Sequence, residues 1–396
     1  MGKTVNEIDQ GHILHKVFAL VIVYYWGIIY LQNPSYVLIT LPISMFILYA
    51  LFFVGSLQVT RETYWILLFI FFASCLSLIR GDFTTLIAVM LFGLLIAVVN
   101  NFHLRVSLRL VNTLFFLSVL LSVPLFYSGY SIYGFLPGQG GFNHDEFLSG
   151  RVSMFPNVTT SIYFSFIVFL LNYFFNKNRY ERLFFFALSL YFIYFGISRT
   201  VMLVLFFVIF FSWILKSFPL RRSWFYQVVV PTILILFPIL MVVFIEEIIY
   251  FLLSLNNEVI SEYFFRGYHS VDEILNDIAR TNIWKEHIRL FVEHPWGLSP
   301  AEVELYVDKS LHLSDGGSES FLTRILVRFG FAALFFYMFI FSMLNRAIHE
   351  RDDYLYIFTY IFIFIALSYG SFFAAYNVLF LIFISSINNK KEESER

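Results

Sequence analysis

Apolar stretches long enough to cross a bilayer recur along almost the whole chain, and they limit the fold more than any other feature. A helix of about 20 apolar residues spans the hydrocarbon core of a membrane. Only 13% of the 396 residues are charged, and the mean hydropathy is +0.77. Soluble domains carry about 25% charged residues, so this surface suits lipid rather than water. The sequence therefore predicts an all-α polytopic membrane protein.

Hydropathy predicts about twelve transmembrane helices in three parts of the chain. Residues 1–246 hold helices one to nine, residues 247–320 form a large loop, and residues 321–396 hold helices ten to twelve and a tail. The loop is far longer than an ordinary connection, which favours a functional role. The predicted helices are 12–31, 36–54, 64–79, 83–100, 108–127, 158–176, 182–198, 201–216, 226–246, 321–344, 354–370 and 372–388.

The distribution of basic residues predicts the orientation of these helices. Sixteen of the 26 Lys and Arg residues lie in loops that share one side, whereas the short loops of the other side hold three. Basic residues concentrate in short cytoplasmic loops. We therefore expect cytoplasmic N- and C-termini, and we expect both long polar segments, 128–157 and 247–320, to lie on the periplasmic or outer face.

Part of the large loop has the periodicity of a helix. Apolar residues recur at steps of three and four residues from Val271 to Phe291, which is typical of an amphipathic helix. Asp272 and Glu273 suit its first turn, and Pro295 is expected to end it. Such a helix would lie along the bilayer surface or cap a cavity between the membrane spans.

The three basic residues of the short outer loops are all arginines at membrane edges, namely Arg80, Arg151 and Arg199. A guanidinium group is a planar, permanently charged fork that matches phosphate oxygens. Together with Arg266 and Arg280 of the large loop, these arginines predict a site on the outer face where their side chains converge on phosphate. The alternative is that each arginine extends separately to lipid headgroups.

A carboxylate precedes predicted helix ten and is a candidate general base. Glu319 follows a flexible Gly-Gly pair at the start of that helix, where it could accept a proton from a sugar hydroxyl. The alternative is ordinary capping, with Ser318 as N-cap and Glu319 in the first helical turn. His312, seven residues earlier, is a second candidate base.

Saccharide contacts are predicted for four residues of the large loop, because aromatic rings stack on pyranoses and polar groups bind hydroxyls. These candidate contacts are His312, Asp315, Trp296 and Tyr268. The aromatic members have an alternative role in packing.

No metal site is predicted from the histidines and the single cysteine, Cys75. Five histidines lie in the segments assigned to the outer face, and none follows the spacing of a zinc site. We interpret them as surface histidines: His144, His269, His287, His294 and His312. Neither a nucleotide cofactor nor a nucleic-acid partner is expected, since the chain has no phosphate-cradling loop and no basic domain.

Several short motifs, in this order and with this topology, resemble the O-antigen ligase/polymerase superfamily. The topology matches over most of the chain, whereas the letters match over short stretches. The branch that this chain resembles most is the Wzy-type O-antigen or capsular polysaccharide polymerases. The motifs are Gly150-Arg151 with Pro156-Asn157, Ser198-Arg199-Thr200, Arg280-Thr281-Asn282-Ile283-Trp284, His294-Pro295-Trp296-Gly297, Glu319-Ser320-Phe321-Leu322 and Phe329-Gly330.

The resemblance implies a GT-C-like glycosyltransferase of the bacterial inner membrane that works without metal or nucleotide sugar. Such an enzyme transfers a growing glycan from undecaprenyl diphosphate to the non-reducing end of another lipid-linked repeat unit, with inversion. Arg151, Arg199 and Arg280 match the motif arginines that would bind diphosphate. Implied partners are undecaprenyl-diphosphate-linked oligosaccharides, membrane lipids, a chain-length regulator and a flippase.

Two other functions stay open from the sequence. The first is ligase-type transfer of a finished glycan to another acceptor. Ligases of the superfamily carry a His-Asn-x-x-Leu pattern where this chain has Ser318-Glu319-Ser320-Phe321-Leu322, which argues against a lipid A-core ligase and makes Glu319 the candidate base. The second is a lipid-linked oligosaccharide flippase or transporter, which would need charged residues along a path through the bilayer. Helices one to nine are nearly free of central charges, so an enzyme is favoured.

Overall fold

The protein forms two compact units, which are described separately. Unit 1 comprises residues 1–202 with 372–396, and unit 2 comprises residues 203–371. The computed structural model describes residues 5–31, 36–54, 60–102, 104, 106–139, 150–198, 201–202, 204–206, 208–209, 213, 232, 244–255, 257, 265, 270–272, 274, 279–306, 320–350 and 352–368. Within these ranges the chain is mostly helical, and its β-structure is a single bridge between Gly134 and Val152.

Unit 1 is built from apolar helices joined mostly by short connections. Its described helices are α1 (Val5–Ile29), α2 (Tyr36–Tyr49, continued by a π-helical turn at Ala50–Val54), α3 (Arg61–Ile79), α4 (Phe83–Asn101), α5 (Leu108–Tyr127), α6 (Val158–Phe175) and α7 (Arg179–Phe195).

Unit 2 contains shorter helices and two apolar ones. Its described helices are α8 (Ile245–Ser254), α9 (Ala279–Glu293), α10 (Pro300–Tyr306), α11 (Phe321–Phe329), α12 (Ala333–Glu350) and α13 (Asp353–Ser368), with a 3-10 turn at Gly330–Ala332 between α11 and α12.

Among the described residues, five helical stretches are long and apolar enough to cross a membrane, and they fit a multi-pass helical membrane protein. They are Arg61–Ile79, Phe83–Asn101, Leu108–Tyr127, Val158–Phe175 and Phe321–Glu350. Shorter apolar helices occupy Ile13–Ile29, Val37–Phe52 and Tyr354–Ala366. The number of twelve spans, the GT-C-like fold and the three-part division at residues 246 and 320 stay predictions, since most of 199–243 and all of 369–396 lie outside the described residues.

Side-chain caps explain why several helices begin where they do. The Asp82 carboxylate accepts the N–H of Thr85 at 3.0 Å and starts α4. Asn157 accepts the N–H groups of Thr159 and Thr160, and Asn178 likewise caps α7. An N-cap satisfies donors that have no partner inside the helix, so these boundaries are local properties of the sequence.

One end of unit 1 carries the polar segments 128–139 and 150–157, and we call it the loop end. The Tyr130 hydroxyl donates to the carbonyl of Tyr30, just after α1, at 2.7 Å. The Tyr30 ring packs edge-on against Phe155 at 5.1 Å. The end of α1, the end of α5 and the start of α6 therefore meet at the loop end.

The structure corrects the sequence-based prediction within one helix. Predicted helix ten, 321–344, is broken at Gly330 into the short helix α11 and the longer helix α12. The hydropathy is continuous across this change in the backbone, so hydropathy could not locate it.

A buried amide cluster joins three helices at the opposite end of unit 1. Asn172 of α6 donates to Asn112 of α5 at 2.8 Å, and Asn112 donates back at 3.1 Å. Asn112 also donates to the Glu181 carboxylate of α7 at 3.1 Å, and Asn176 donates to Asn172 at 2.8 Å. Polar pairs of this kind hold helices together where apolar contacts alone give little preference between neighbours.

We predict that Asn172→Leu destabilises the protein by about 1–2 kcal/mol, because it removes the amide that joins α5 to α6 and leaves buried polar partners behind. Thermal unfolding of the purified protein in detergent measures the change. Thr113→Val is the control, since Thr113 is exposed and its hydroxyl donates within its own helix to Arg109. Equal midpoints for Asn172→Leu and Thr113→Val would contradict the prediction.

Candidate functional site

Arg151 lies at the loop end in a segment anchored by its backbone. The next residue, Val152, donates its N–H to the carbonyl of Phe195, the last residue of α7, at 3.0 Å. Ser153 donates its N–H to the carbonyl of Gly134 at 3.3 Å. Residues 152–155 are all buried. The position of Arg151 is therefore fixed by two backbone contacts and a buried segment.

The surroundings of the Arg151 side chain are partly apolar and carry a phenol. The guanidinium is half-buried, and its Nε atom is buried. Burial raises the pKa of the neighbouring Tyr133 phenol, and the positive charge of Arg151 opposes that rise. A permanent positive charge held at low solvent exposure attracts an anion more strongly than a charge in water.

The Val152–Phe195 contact also brings two motif segments together. Phe195 is three residues before Ser198, whose Oγ accepts the N–H of Val201 at 3.4 Å and whose carbonyl accepts the N–H of Met202 at 3.1 Å. Between Phe195 and Ser198, Ile197 has a positive φ of 56°. This conformation costs a non-glycine residue about 1–2 kcal/mol. Strained backbone of this kind is found preferentially at functional sites.

Arg80 lies at the turn between α3 and α4. Its backbone N–H donates to Leu76 at 3.2 Å, and Gly81 follows with a φ of +68°. Neighbouring helices of unit 1 alternate in direction because their connections are short, so this turn belongs to the loop end. Arg80 and Arg151 therefore share the end of unit 1 that the sequence predicts to face outward.

In unit 2, helices α9 and α11 pack side by side and run parallel. His287 Nδ1 and Thr323 Oγ1 are 2.8 Å apart. Four residues further along α9, the Phe291 ring packs against Phe331, just after α11, at 5.7 Å. The residue numbers of both partners rise from the first contact to the second, so the two N-terminal ends lie at the same end of the pair. After α9 the chain turns back, and Leu298 donates its N–H to the Val327 carbonyl at 2.8 Å while Phe331 donates to Pro295 at 2.9 Å.

This register bears on Arg280. Arg280 belongs to the first turn of α9, two helical turns before His287. The N-terminal end of α11 is set by Ser320, whose buried Oγ accepts the N–H of Thr323 at 3.4 Å. The backbone position of Arg280 and the cap of α11 are therefore at the same end of the helix pair.

The observed cap changes the interpretation of Glu319. Capping by Ser318, with Glu319 in the first helical turn, was the alternative to a catalytic role. The N-cap is Ser320, and α11 begins at Phe321. That alternative is wrong, because both predicted capping residues precede the cap in the sequence.

Two motif glycines make the close contact that fixes the register of α9 and α11. Gly297 has a φ of +84°, and a Cβ there would lie 2.5 Å from the Arg328 carbonyl oxygen. Gly330 has a φ of +54°, and a Cβ there would overlap the carbonyl oxygen of Pro295. The motifs His294-Pro295-Trp296-Gly297 and Phe329-Gly330 thus have a structural role, in which backbone approaches backbone.

Arg289 is an arginine of the large loop whose hydrogen bonds stabilise the fold. It donates two hydrogen bonds to Glu286, at 2.9 and 2.6 Å, and one to Glu293 at 2.6 Å. It also donates to the carbonyl of Tyr306 at the end of α10, at 3.1 Å. These carboxylates raise the pKa of Arg289 further. Its donors serve the fold, so Arg289 is a poor candidate for phosphate binding.

The interpretation of the loop histidines as surface residues is wrong for His287, which is 0% exposed. His294 is half-buried and packs its ring on Tyr306 at a centroid distance of 4.6 Å. A signal for His287 was present in the sequence, since it shares the apolar face of the predicted helix with Ile283 and Leu290. Interpreting that face as the buried side of an amphipathic helix would have predicted a buried imidazole.

Other predicted site residues are placed only in part. Trp296 is described and 69% exposed. Arg280 is described by its backbone in α9. The described residues contain no group of three or more His, Cys, Asp or Glu that could hold a metal ion. Six predicted site residues lie outside the described ranges: Arg199, Arg266, Tyr268, His312, Asp315 and Glu319.

The described residues bear on the segments that carry the predicted arginines, within each unit separately. In unit 1, the segment of Arg151 is hydrogen-bonded next to the one that leads to Arg199. In unit 2, Arg280 and the cap that follows Glu319 share one end of a helix pair. Convergence of all the side chains on one site stays a prediction.

We predict that Gly330→Ala destabilises the protein by several kcal/mol, because the added methyl group overlaps backbone atoms of Pro295 and Gly297. Gly129→Ala is the matched control. Gly129 also has a positive φ, of +74°, but a Cβ there meets nothing within 4 Å, so it incurs only the conformational cost of about 1 kcal/mol. Thermal unfolding in detergent compares the two, and equal losses would contradict the steric explanation.

Comparison with known proteins bears on the same segments. A family model described as O-antigen ligase matches residues 184–338, less than half of the chain. The match covers the Ser198 segment, α9, the two glycine motifs and α11. No curated protein and no solved structure matches the chain. Residues 184–338 are thus similar to the O-antigen ligase family, which supports the O-antigen ligase/polymerase superfamily without separating its polymerases from its ligases.

Proposed function

We propose that this protein is a polysaccharide polymerase of the bacterial inner membrane that acts on undecaprenyl-diphosphate-linked oligosaccharides. It transfers the growing glycan to the non-reducing end of another lipid-linked repeat unit, with inversion at the anomeric carbon. Both termini lie in the cytoplasm and the large loop lies on the periplasmic face. The observation that carries the proposal is the parallel pairing of α9 and α11, which brings Arg280 to the end where Ser320, next to Glu319, caps α11.

The helix pair favours a negatively charged ligand at that end. Each helix N-terminus has unsatisfied N–H groups and a partial positive charge. Because α9 and α11 run parallel, their two positive ends add rather than cancel. Arg280 contributes a full charge from the first turn of α9. A diphosphate is a suitable ligand for such a combination.

Arginines of unit 1 supply a second set of phosphate ligands in this proposal. Arg151 is held by the buried segment at the loop end, and Arg80 lies at the same end. Arg199 follows Ser198, which is three residues after the Phe195 carbonyl that accepts the N–H of Val152, and this proximity in sequence supports its inclusion. Arg266 of the large loop completes the proposed set of diphosphate ligands.

The proposed glycosyl transfer needs one general base and stabilisation of the negative charge that develops on the departing diphosphate. The acceptor hydroxyl oxygen attacks the anomeric carbon, the bond from that carbon to the diphosphate oxygen breaks, and the hydroxyl proton passes to the base. Glu319 is the proposed base, with His312 as the alternative. The departing diphosphate gains negative charge, and arginines that bind it more strongly at that stage lower the barrier.

Ligase-type transfer is the second candidate, because the matching family model is described as O-antigen ligase. The histidine of the ligase pattern is absent from this chain, where Glu319 stands instead. A flippase is less well supported, since the charged residues of α3 to α7 all lie within the first four residues of their helices. A translocation path needs charged groups deeper in the membrane.

We expect purified protein in lipid vesicles to convert a single lipid-linked repeat unit into a ladder of longer glycans. Separation of the products by gel electrophoresis shows the ladder. A product that forms only after a second, non-repeat acceptor is added would identify a ligase. Movement of the repeat unit across the bilayer with no new glycosidic bond would identify a flippase.

We predict that Arg151→Ala, Arg199→Ala, Arg280→Ala and Glu319→Ala each slow polymerisation by about 10²–10³-fold, leaving single repeats on the lipid. The reason is the loss of a diphosphate ligand or of the base. The matched control is Arg109→Ala, an exposed arginine at the end of unit 1 opposite the loop end. Normal ladders from the first four variants, at normal protein levels, would remove the site assignment.

A further inference from the structure

Helix α9 has three distinct sides where its side chains are described. His287 and Leu290 are buried on the side that faces α11. Arg289 forms ion pairs with Glu286 and Glu293 on a second side. The third side is apolar and exposed, with Ile288 53% and Val292 70% accessible. A helix that only packed on α11 would have polar residues on that third side.

The exposed apolar side of α9 continues onto aromatic residues. Phe291, next to Val292, packs edge-on against Phe331 at 5.7 Å. Phe331 packs edge-on against Trp296 at 5.9 Å. Phe331 and Trp296 are themselves exposed. We call the set of Ile288, Phe291, Val292, Trp296 and Phe331 the aromatic strip.

Helix α12 gives a reference for the depth that the aromatic strip would have in a membrane. It has 18 residues and is therefore about 27 Å long, close to the thickness of the hydrocarbon core. Its exposed apolar residues, Leu334, Met338 and Phe341, follow Phe331 at steps of three and four residues. They form one exposed apolar line along the helix, and Phe331 lies at its N-terminal end. If α12 crosses the bilayer, the strip begins at the interface.

We infer that the aromatic strip is a membrane-docking surface, with α9 lying in the interfacial layer of the bilayer. Ile288 and Val292 contact the upper acyl chains, and Trp296 lies at the level of the headgroups, where tryptophan is enriched. The charged side of α9 then faces water. This inference assigns Trp296 to lipid rather than to sugar, and it does not depend on the proposed polymerase activity.

Continuity with the exposed apolar line of α12 selects lipid over other occupants. A bound glycan would need hydrogen-bonding groups beside the aromatic rings, and the strip is apolar. A second protein copy would have to displace lipid from Phe331 and α12 as well. Amphipathic helices with one apolar and one charged side are stabilised at membrane interfaces.

The test compares two neighbouring positions of α9 in the full chain. Single-cysteine variants Val292→Cys and Glu293→Cys are made in a Cys75→Ala background, labelled with an environment-sensitive fluorophore and placed in lipid nanodiscs. The two side chains point about 100° apart around the helix. Quenching by lipids brominated on the upper acyl chain reports lipid contact, and quenching by iodide reports water contact.

The expected result is lipid quenching several-fold stronger at position 292 than at 293, with the reverse order for iodide. Lipid quenching at 292 equal to or weaker than that at 293 would overturn the inference. So would protection of 292 from both quenchers, which would indicate a protein or glycan occupant. Ile288→Cys gives a second reading on the same side if Val292→Cys folds poorly.

Discussion

The backbone crossing of Gly297 and Gly330 is the contact on which the organisation of unit 2 depends. Two positive-φ glycines allow carbonyl and amide groups to approach where any Cβ would collide, and hydrogen bonds join the segment after α9 to the C-terminal end of α11. With His287 opposite Thr323, the first turn of α9 extends about one helical turn beyond the cap of α11, at the same end of the pair. The crossing also sets Phe331 against Trp296 at the top of α12. One contact therefore orients both the proposed anion-binding end and the proposed lipid-facing strip.

Two described arginines, Arg289 and Arg151, occupy different environments. Arg289 donates hydrogen bonds to two carboxylates and to a backbone carbonyl. Arg151 is half-buried beside Tyr133, in a segment whose neighbours are apolar. A guanidinium already paired with carboxylates gains little from phosphate, because the incoming anion meets negative charge. Arg289 differs because Glu286 lies three residues before it and Glu293 four residues after it on the same helix. This pattern is local and is visible in the sequence.

Local signals predicted much of this fold, whereas contacts between distant segments decided the rest. Hydropathy located α3 to α7 to within a few residues, and Pro295 marked the end of α9 as expected. The burial of His287 was missed although its helical face indicated it. The break at Gly330 and the Val152–Phe195 contact were not predicted, because each depends on a partner far away in the sequence and the hydropathy of an apolar segment is the same whether its backbone is continuous or broken. For the same reason, the sequence identified the motif residues but did not show which of them have a structural role and which have a proposed chemical role.

The cap of α11 bears directly on the choice of base. A carboxylate in the first turn of a helix is held by the N–H groups there and is stabilised in its ionised form, which lowers its affinity for a proton. Here the N–H of Thr323 is satisfied by Ser320, so the helix does not require a carboxylate for its cap. Glu319 precedes that cap and is therefore not needed for the stability of α11. The proposal of Glu319 as the base for an acceptor hydroxyl therefore does not compete with a capping role at Ser320.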